Sequence, residues 1–307
     1  MGKKTDLKDS CAHCGVINCI DLFRHTRHDD KLVGGELYVY KLLNHSEVAD
    51  REELWRHICS NGALLQCGCY IVGTANELSP EDFLTIICNE IVRDMKASFY
   101  LAMSGHYRQA ILIQRCVFEN FLYGLYFHAE DYWFSRNAEE QEKVLENFMS
   151  WINGGFRKSD VYLLDIIERG RIISKAEKRE WETLFNELSQ FVHTILKTPT
   201  GKIIKYGNVE IKSCYSEVEF DSDGLIEWSR YYQKVFFLVL HKLVSIYPLV
   251  RTEEAGKLAL KRIRAEFKDV REELKNPHLN ELLKMRSGKS EGGKLSLKGG
   301  ATGLRQL

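Results

Sequence analysis

The sequence predicts an all-α fold, and three observations carry the prediction. From Ser79 to Tyr247 the chain is largely a series of stretches with apolar residues recurring three and four apart. Helix start and stop signals bracket those stretches. Apolar residues make up 44% of the 307 positions and only 4 residues are proline, a balance that suits a packed helical bundle.

The elements follow in order. "SPED" puts Ser79 at an N-cap and Pro80 at the first helical position, with acids in the first turn, starting a helix that runs to about Ser104. Gly105 breaks it, and a second helix extends from about His106 to His128. "AEEQEKVLENFMSWI" is a third, closed by Gly154 and Gly155, and "SDVYLLDIIERG" is a shorter fourth. "SKAEKREWETLFNELSQFVHT" is a fifth, with Ser174 as cap and Glu177 at the capping-box position. "GKIIKYGNVEIKSCYSEVEF" alternates and is rich in β-branched residues, so it reads as a small hairpin turning at Gly207-Asn208. "DSDGLIEWSRYYQKVFFLVLHKLVSIY" returns to helix and stops before Pro248. A basic helix from about Glu253 to Lys275 follows, with Ile263, Phe267, Val270 and Leu274 forming one apolar seam.

Composition divides the chain into four parts. Residues 1–75 are irregular in pattern and hold six of the nine cysteines and five of the ten histidines, so they read as a small separate module. Residues 76–250 form the bundle, 251–285 a basic helical arm, and 286–307 a disordered tail of Gly, Ser and Lys. The net charge is zero, yet from Gly256 onward there are 13 Lys and Arg against 6 Asp and Glu. That excess suits either an anionic partner or the acidic remainder of the same chain.

No stretch reaches the roughly 18 uninterrupted apolar residues of a membrane span. The nearest candidate, "YYQKVFFLVLHKLVSIYPLV", contains Lys234, His241 and Lys242. "MGKKTD" lacks a signal-peptide core, and Asp6 breaks the myristoylation pattern. An odd number of scattered cysteines then favours a reduced, cytoplasmic protein. The sequence contains no Gly-rich phosphate loop, nucleophile elbow or zinc-protease helix.

"CAHCG" pairs Cys11 with Cys14, and His25 and His28 lie downstream. Two thiolates and two imidazoles complete a tetrahedral structural zinc site. The other reading is reduced cysteines with surface histidines. Cys67 and Cys69 offer a second thiol pair that closes a longer loop.

Two helices carry polar stripes. On the fifth, Trp181, Leu184, Phe185, Leu188, Phe191, Val192 and Ile195 share about a third of the circle, while His193 lies opposite with Glu182, Asn186 and Ser189. His193 faces either water or a second surface. On the second helix, Arg108, Arg115, Glu119 and Tyr126 fall within about 40° of one another, flanked by Ile111, Leu112, Phe118, Leu122 and Leu125. A buried Arg needs a partner, and Glu119 stands one turn from Arg115. The stripe is either an ion pair between packed helices or a functional pocket.

At these residues the chain resembles a known class. "ASFYLAMSGHYRQAILIQRCVFENFLYGLYF" followed by "ELSQFVH" resembles bacterial proteins of the HEPN-like helical class, over roughly residues 80–250. The resemblance implies a helical bundle, commonly a homodimer, and a link to phage defence or toxin activity through metal-independent RNA cleavage. The usual signature is an Arg followed a few residues later by His on one helix. His193 matches the His, but the Arg positions hold Asn186, Glu187 and Leu188. The resemblance therefore implies His193 as general acid or base, with Arg115 or Arg108 supplying the missing cation from the second helix. Glu119 then orients Arg115, and Arg108, Tyr126, Ser189 and Asn186 line the RNA site. The alternative is a non-catalytic member whose dimer groove binds protein or nucleic acid.

Overall fold

The computed structural model describes residues 52–193, 203–206, 209–212, 222–268 and 274–285. Nine α-helices occur among the described residues, so the all-α class holds.

Helix α1 (Glu52–Leu78) packs against α7 and α8 and corrects the expected boundary at residue 75. Residues 52–75 belong to the bundle, with Leu54, Ile58, Leu64, Ile71 and Ala75 in the common core. Its cysteines and glycines hide the helix in sequence, but packing uses one of them. A Cβ on Gly68 would sit 2.1 Å from Cζ of Phe236, a fully buried ring of α7. Only a residue without a side chain lets the two helices approach this closely.

Helices α2 (Phe83–Met103) and α3 (Tyr107–Ala129) form an antiparallel hairpin, the most extensive helix pair in the fold. Gly105, at φ 78°, makes the turn between them. The cap expected at Ser79 moves to Asp82, whose side chain accepts from the Leu84 amide at 2.9 Å. Ser79 instead offers its carbonyl to the Thr85 hydroxyl at 2.6 Å. The pair is pinned to α7 by a buried hydroxyl. Ser98 Oγ donates to the Ala110 carbonyl at 2.8 Å and lies 3.2 Å from Gln114 Nε2 and 3.0 Å from Trp228 Nε1, both donors to it.

A π-turn (Glu130–Phe134) leads to α4 (Ala138–Ile152), capped by Asn137 and closed at Gly154, φ 77°. Helix α5 (Asp160–Arg169) is capped by Ser159. Helix α6 (Lys175–His193) starts with the reciprocal box in which Glu177 N donates to Ser174 Oγ and Ser174 N to Glu177 Oε2. Strands β1 (Ile203–Tyr206) and β2 (Val209–Lys212) pair antiparallel, Ile203 opposite Lys212 and Tyr206 opposite Val209. The Gly207-Asn208 turn lies outside the described residues.

Helix α7 (Ser222–Ile246) is the central rod, buried on most of its surface. A 3-10 turn (Pro248–Arg251) follows, then α8 (Glu254–Phe267) and α9 (Pro277–Lys284), the last capped by Asn276. The helix expected from Glu253 to Lys275 is described as α8 alone up to Phe267; α8 lies on α1 and α9 on α7, with Leu260, Ile263, Phe267, Leu279 and Leu282 in the core. Roughly 1.5–3 kcal/mol for each such side chain buried holds the segment to the body. No described helix is long and apolar enough to cross a membrane. The tail from residue 286 lies outside the described residues.

Candidate functional site

Helices α3 and α6 run antiparallel and meet along one seam. Trp181 packs edge-on against Phe118 at 5.9 Å between ring centroids and against Phe121 at 6.1 Å, and Phe185 lies 6.3 Å from Phe118. One turn further, Arg115 Nε donates to Ser189 Oγ at 3.3 Å. Near the end, Arg108 Nε donates to the Phe191 carbonyl at 3.3 Å. Rising numbers on α6 meet falling numbers on α3. The row Trp181, Phe185, Ser189 steps by four and, drifting about 40° at each step, passes from the apolar face of α6 toward its polar face, with position 193 next in the series.

Arg115 is held from three sides. Nη1 donates to Glu119 Oε2 at 2.7 Å, Nε to Ser189, and the guanidinium carbon stands 5.0 Å from the Phe185 ring centre. Aromatic stacking and a planar fork of donors suit Arg to this position where Lys would not serve. The pair is not deeply buried, however. The Arg115 and Glu119 side chains keep 22% and 39% of their exposure. Glu119→Ala is therefore expected to cost about 1 kcal/mol or less, rather than the several kcal/mol of a buried pair. Urea denaturation of the variant checks this.

Arg108 supplies a donor to one of the orphan carbonyls at the C-terminal end of α6, where positive charge is also favoured by the helix dipole. His193 ends α6 one turn beyond Ser189, at the Arg108 end of the seam rather than level with Arg115. Its side chain lies outside the described residues.

The structure does not bring Tyr126 to this seam. It sits three turns along α3 from Arg115, about 16 Å at the helical rise. There it packs on Phe156 and Tyr162, and burial, with Glu130 nearby, raises its hydroxyl well above the usual tyrosine range. Asn186 is exposed on α6. Cys11, Cys14, His25 and His28 lie outside the described residues. Cys67 and Cys69 are a poor second thiol pair: two positions apart on α1, one is buried and the other exposed. Burial pushes the Cys67 thiol up to about 12, against a lowering from Arg262, so it remains protonated.

One buried polar pair has no forewarning in the sequence. Asp82, the cap of α2, also places Oδ2 2.9 Å from Nδ1 of His128 on α3. Tyr132 packs on His128 in a tilted arrangement at 4.7 Å and Tyr247 meets it edge-on at 6.2 Å. The cap signal was local, but the partner lies 46 residues away.

Comparison with protein-family models, with curated proteins and with solved structures finds no match for this chain.

Proposed function

We propose that the α3–α6 seam is an RNA site of HEPN-like character and that the chain cleaves RNA there without a catalytic metal. The observation that supports this reading is the Arg115–Ser189 contact. It joins two polar stripes 74 residues apart, and on α6 His193 follows Ser189 by one turn. In the proposed reaction the His193 imidazole takes the proton of a ribose 2′-hydroxyl. The 2′ oxygen then bonds to the adjacent phosphorus, the P–O5′ bond breaks, and the imidazolium returns the proton to the leaving 5′ oxygen. Arg115, fixed by Glu119 and Ser189, offers its remaining N–H edge to the phosphate. The products are a 2′,3′-cyclic phosphate and a 5′-hydroxyl. Defence or toxin activity, with a second copy of the chain across the site, is part of the same proposal.

A second reading has its own observation. Two of Arg115's donor positions are already committed to Glu119 and Ser189, which suits a fixed binding surface as well as a reacting one. In that reading the seam binds RNA or protein without cutting it. Incubation of a labelled structured RNA with the full chain separates the two. His193→Ala is expected to remove cleavage at least 100-fold while leaving RNA binding within a few-fold, and Arg115→Ala to weaken both. Cleavage undiminished in His193→Ala ends the catalytic reading. Binding without cleavage by the unaltered chain establishes the second.

A further inference from the structure

Away from the seam, the N-terminal turn of α6 meets α7 and α9 around two buried imidazoles. His241 on α7 and His278 on α9 place their Nδ1 atoms 3.0 Å apart, and one nitrogen of each lies within 4.8 Å of a Glu177 carboxylate oxygen. We propose that Glu177, His241 and His278 form a transition-metal site of the two-histidine, one-carboxylate kind, suited to zinc(II), at this three-helix junction.

The donor set and spacing carry the inference. Two nitrogens bound to one tetrahedral zinc at about 2.0–2.1 Å lie about 3.3 Å apart, close to the observed separation. Without an ion, two imidazole nitrogens at this distance share one proton, one ring donating to the other. That arrangement leaves a defect. Nε2 of His278 is buried with no hydrogen-bond partner, and the nearest carboxylate oxygen, Glu180 Oε1, is 3.6 Å away. When His278 donates through Nδ1, Nε2 is a bare lone pair beside a carboxylate, and both repel; when His241 donates instead, His278 carries its proton on Nε2, but Glu180 at 3.6 Å stands beyond hydrogen-bond reach. When an ion takes both Nδ1 atoms, each ring carries its proton on Nε2 and that of His278 points at Glu180. This is the carboxylate–histidine–metal arrangement that orients ligating imidazoles elsewhere.

Charge and access fit as well. Glu177 and Glu180 face two ammonium groups: Lys242, whose Nζ stands 2.5 Å from Glu177 Oε1, and Lys234, which acts on Glu180 while itself paired with Glu187 at 2.9 Å. Lys242 is the competitor for the Glu177 oxygen. Its other contacts, the Ile172 carbonyl at 3.2 Å and the Trp181 ring at 5.9 Å, keep it in place when the ion shares the carboxylate. The Glu177 side chain is 25% exposed, so the carboxylate edge of the proposed site meets solvent. The site uses none of Cys11, Cys14, His25 or His28.

The test is titration of the full chain carrying Cys11→Ser and Cys14→Ser, which removes the other zinc candidate, with zinc(II) by calorimetry and cobalt(II) by visible absorption. The expected result is one ion per chain, a tetrahedral cobalt spectrum, and quenching of Trp181, whose ring centroid is 6.4 Å from that of His278. Trp181→Phe identifies the quenched residue. His278→Gln and His241→Gln are expected to abolish the spectrum. Glu177→Gln, which keeps the capping box, is expected to weaken binding at least tenfold with unchanged circular dichroism. Absence of binding at tens of micromolar zinc, or binding unchanged in Glu177→Gln and His278→Gln, overturns the proposal. RNA cleavage is not read in this experiment, so its outcome is independent of the seam.

Discussion

Asp82→Ala is expected to destabilise the bundle by roughly 3–5 kcal/mol, measured as a shift in urea midpoint at unchanged slope. The residue does two jobs. Its Oδ1 accepts from the Leu84 amide at the start of α2, and its Oδ2 from His128 at 2.9 Å, with side chains 2% and 9% exposed. Removing it strands both donors in the interior at about 1–3 kcal/mol each and deletes a helix cap. Asp82→Asn keeps an acceptor for the amide and is expected to cost less than half as much. The pH dependence has a definite sign. Burial by itself raises this carboxyl, but His128, Tyr247 and the Leu84 amide outweigh it, and the group titrates below its ordinary value. A carboxyl lowered in the folded state contributes stability that is fully present above its unfolded value of about 3.9. That stability is lost as pH falls through the lower folded value. The wild-type acid limb is therefore expected to steepen below about pH 4, and Asp82→Asn to flatten it.

What the sequence made legible, and what it hid, follows from the range of each interaction. Helices α2 to α7 announced themselves through periodicity and local caps, because both signals are written within a few residues. The Ser174–Glu177 box needs only four residues to read. Helix α1 was missed because Gly62, Gly68, Gly73 and its cysteines lower local helix propensity, while the gain is tertiary, as Gly68 against Phe236 shows. Ser79-Pro80 carried a stronger local cap signal than Asp82. Asp82 prevailed because it also satisfies His128, a partner no window could see. The seam was partly legible. A wheel shows that Arg115 and Ser189 need partners, but not that Tyr126 is served by Phe156 and Tyr162 instead. Nothing in the sequence links His241 to His278, 37 residues away, and only the docking of α9 on α7 makes them a pair.

Trp181→Ala is expected to have the other largest effect, about 3–5 kcal/mol, with a loss of seam function that exceeds the loss of fold. The ring is fully buried and fills the space where α3, α6, α7 and α9 converge: Phe118 and Phe121 on one side, Lys242 and His278 on the other. Its removal leaves a cavity that four rigid helices cannot easily close, and such cavities add their own cost to the lost burial. Trp181→Phe is the informative companion. The indole Nε1 is buried without a hydrogen-bond partner, so the smaller ring gives up volume but also removes an unsatisfied donor. The two effects oppose, and a cost of about 1 kcal/mol or less is expected. In the alanine variant α6 loses the anchor that sets its distance from α3 two turns before Ser189. The Arg115–Ser189 hydrogen bond, already 3.3 Å long, is then the first seam contact to open. RNA binding measured well below the unfolding midpoint is therefore expected to fall at least tenfold in Trp181→Ala and to stay near wild type in Trp181→Phe. Equal binding by all three proteins, all folded, would separate the seam from RNA recognition.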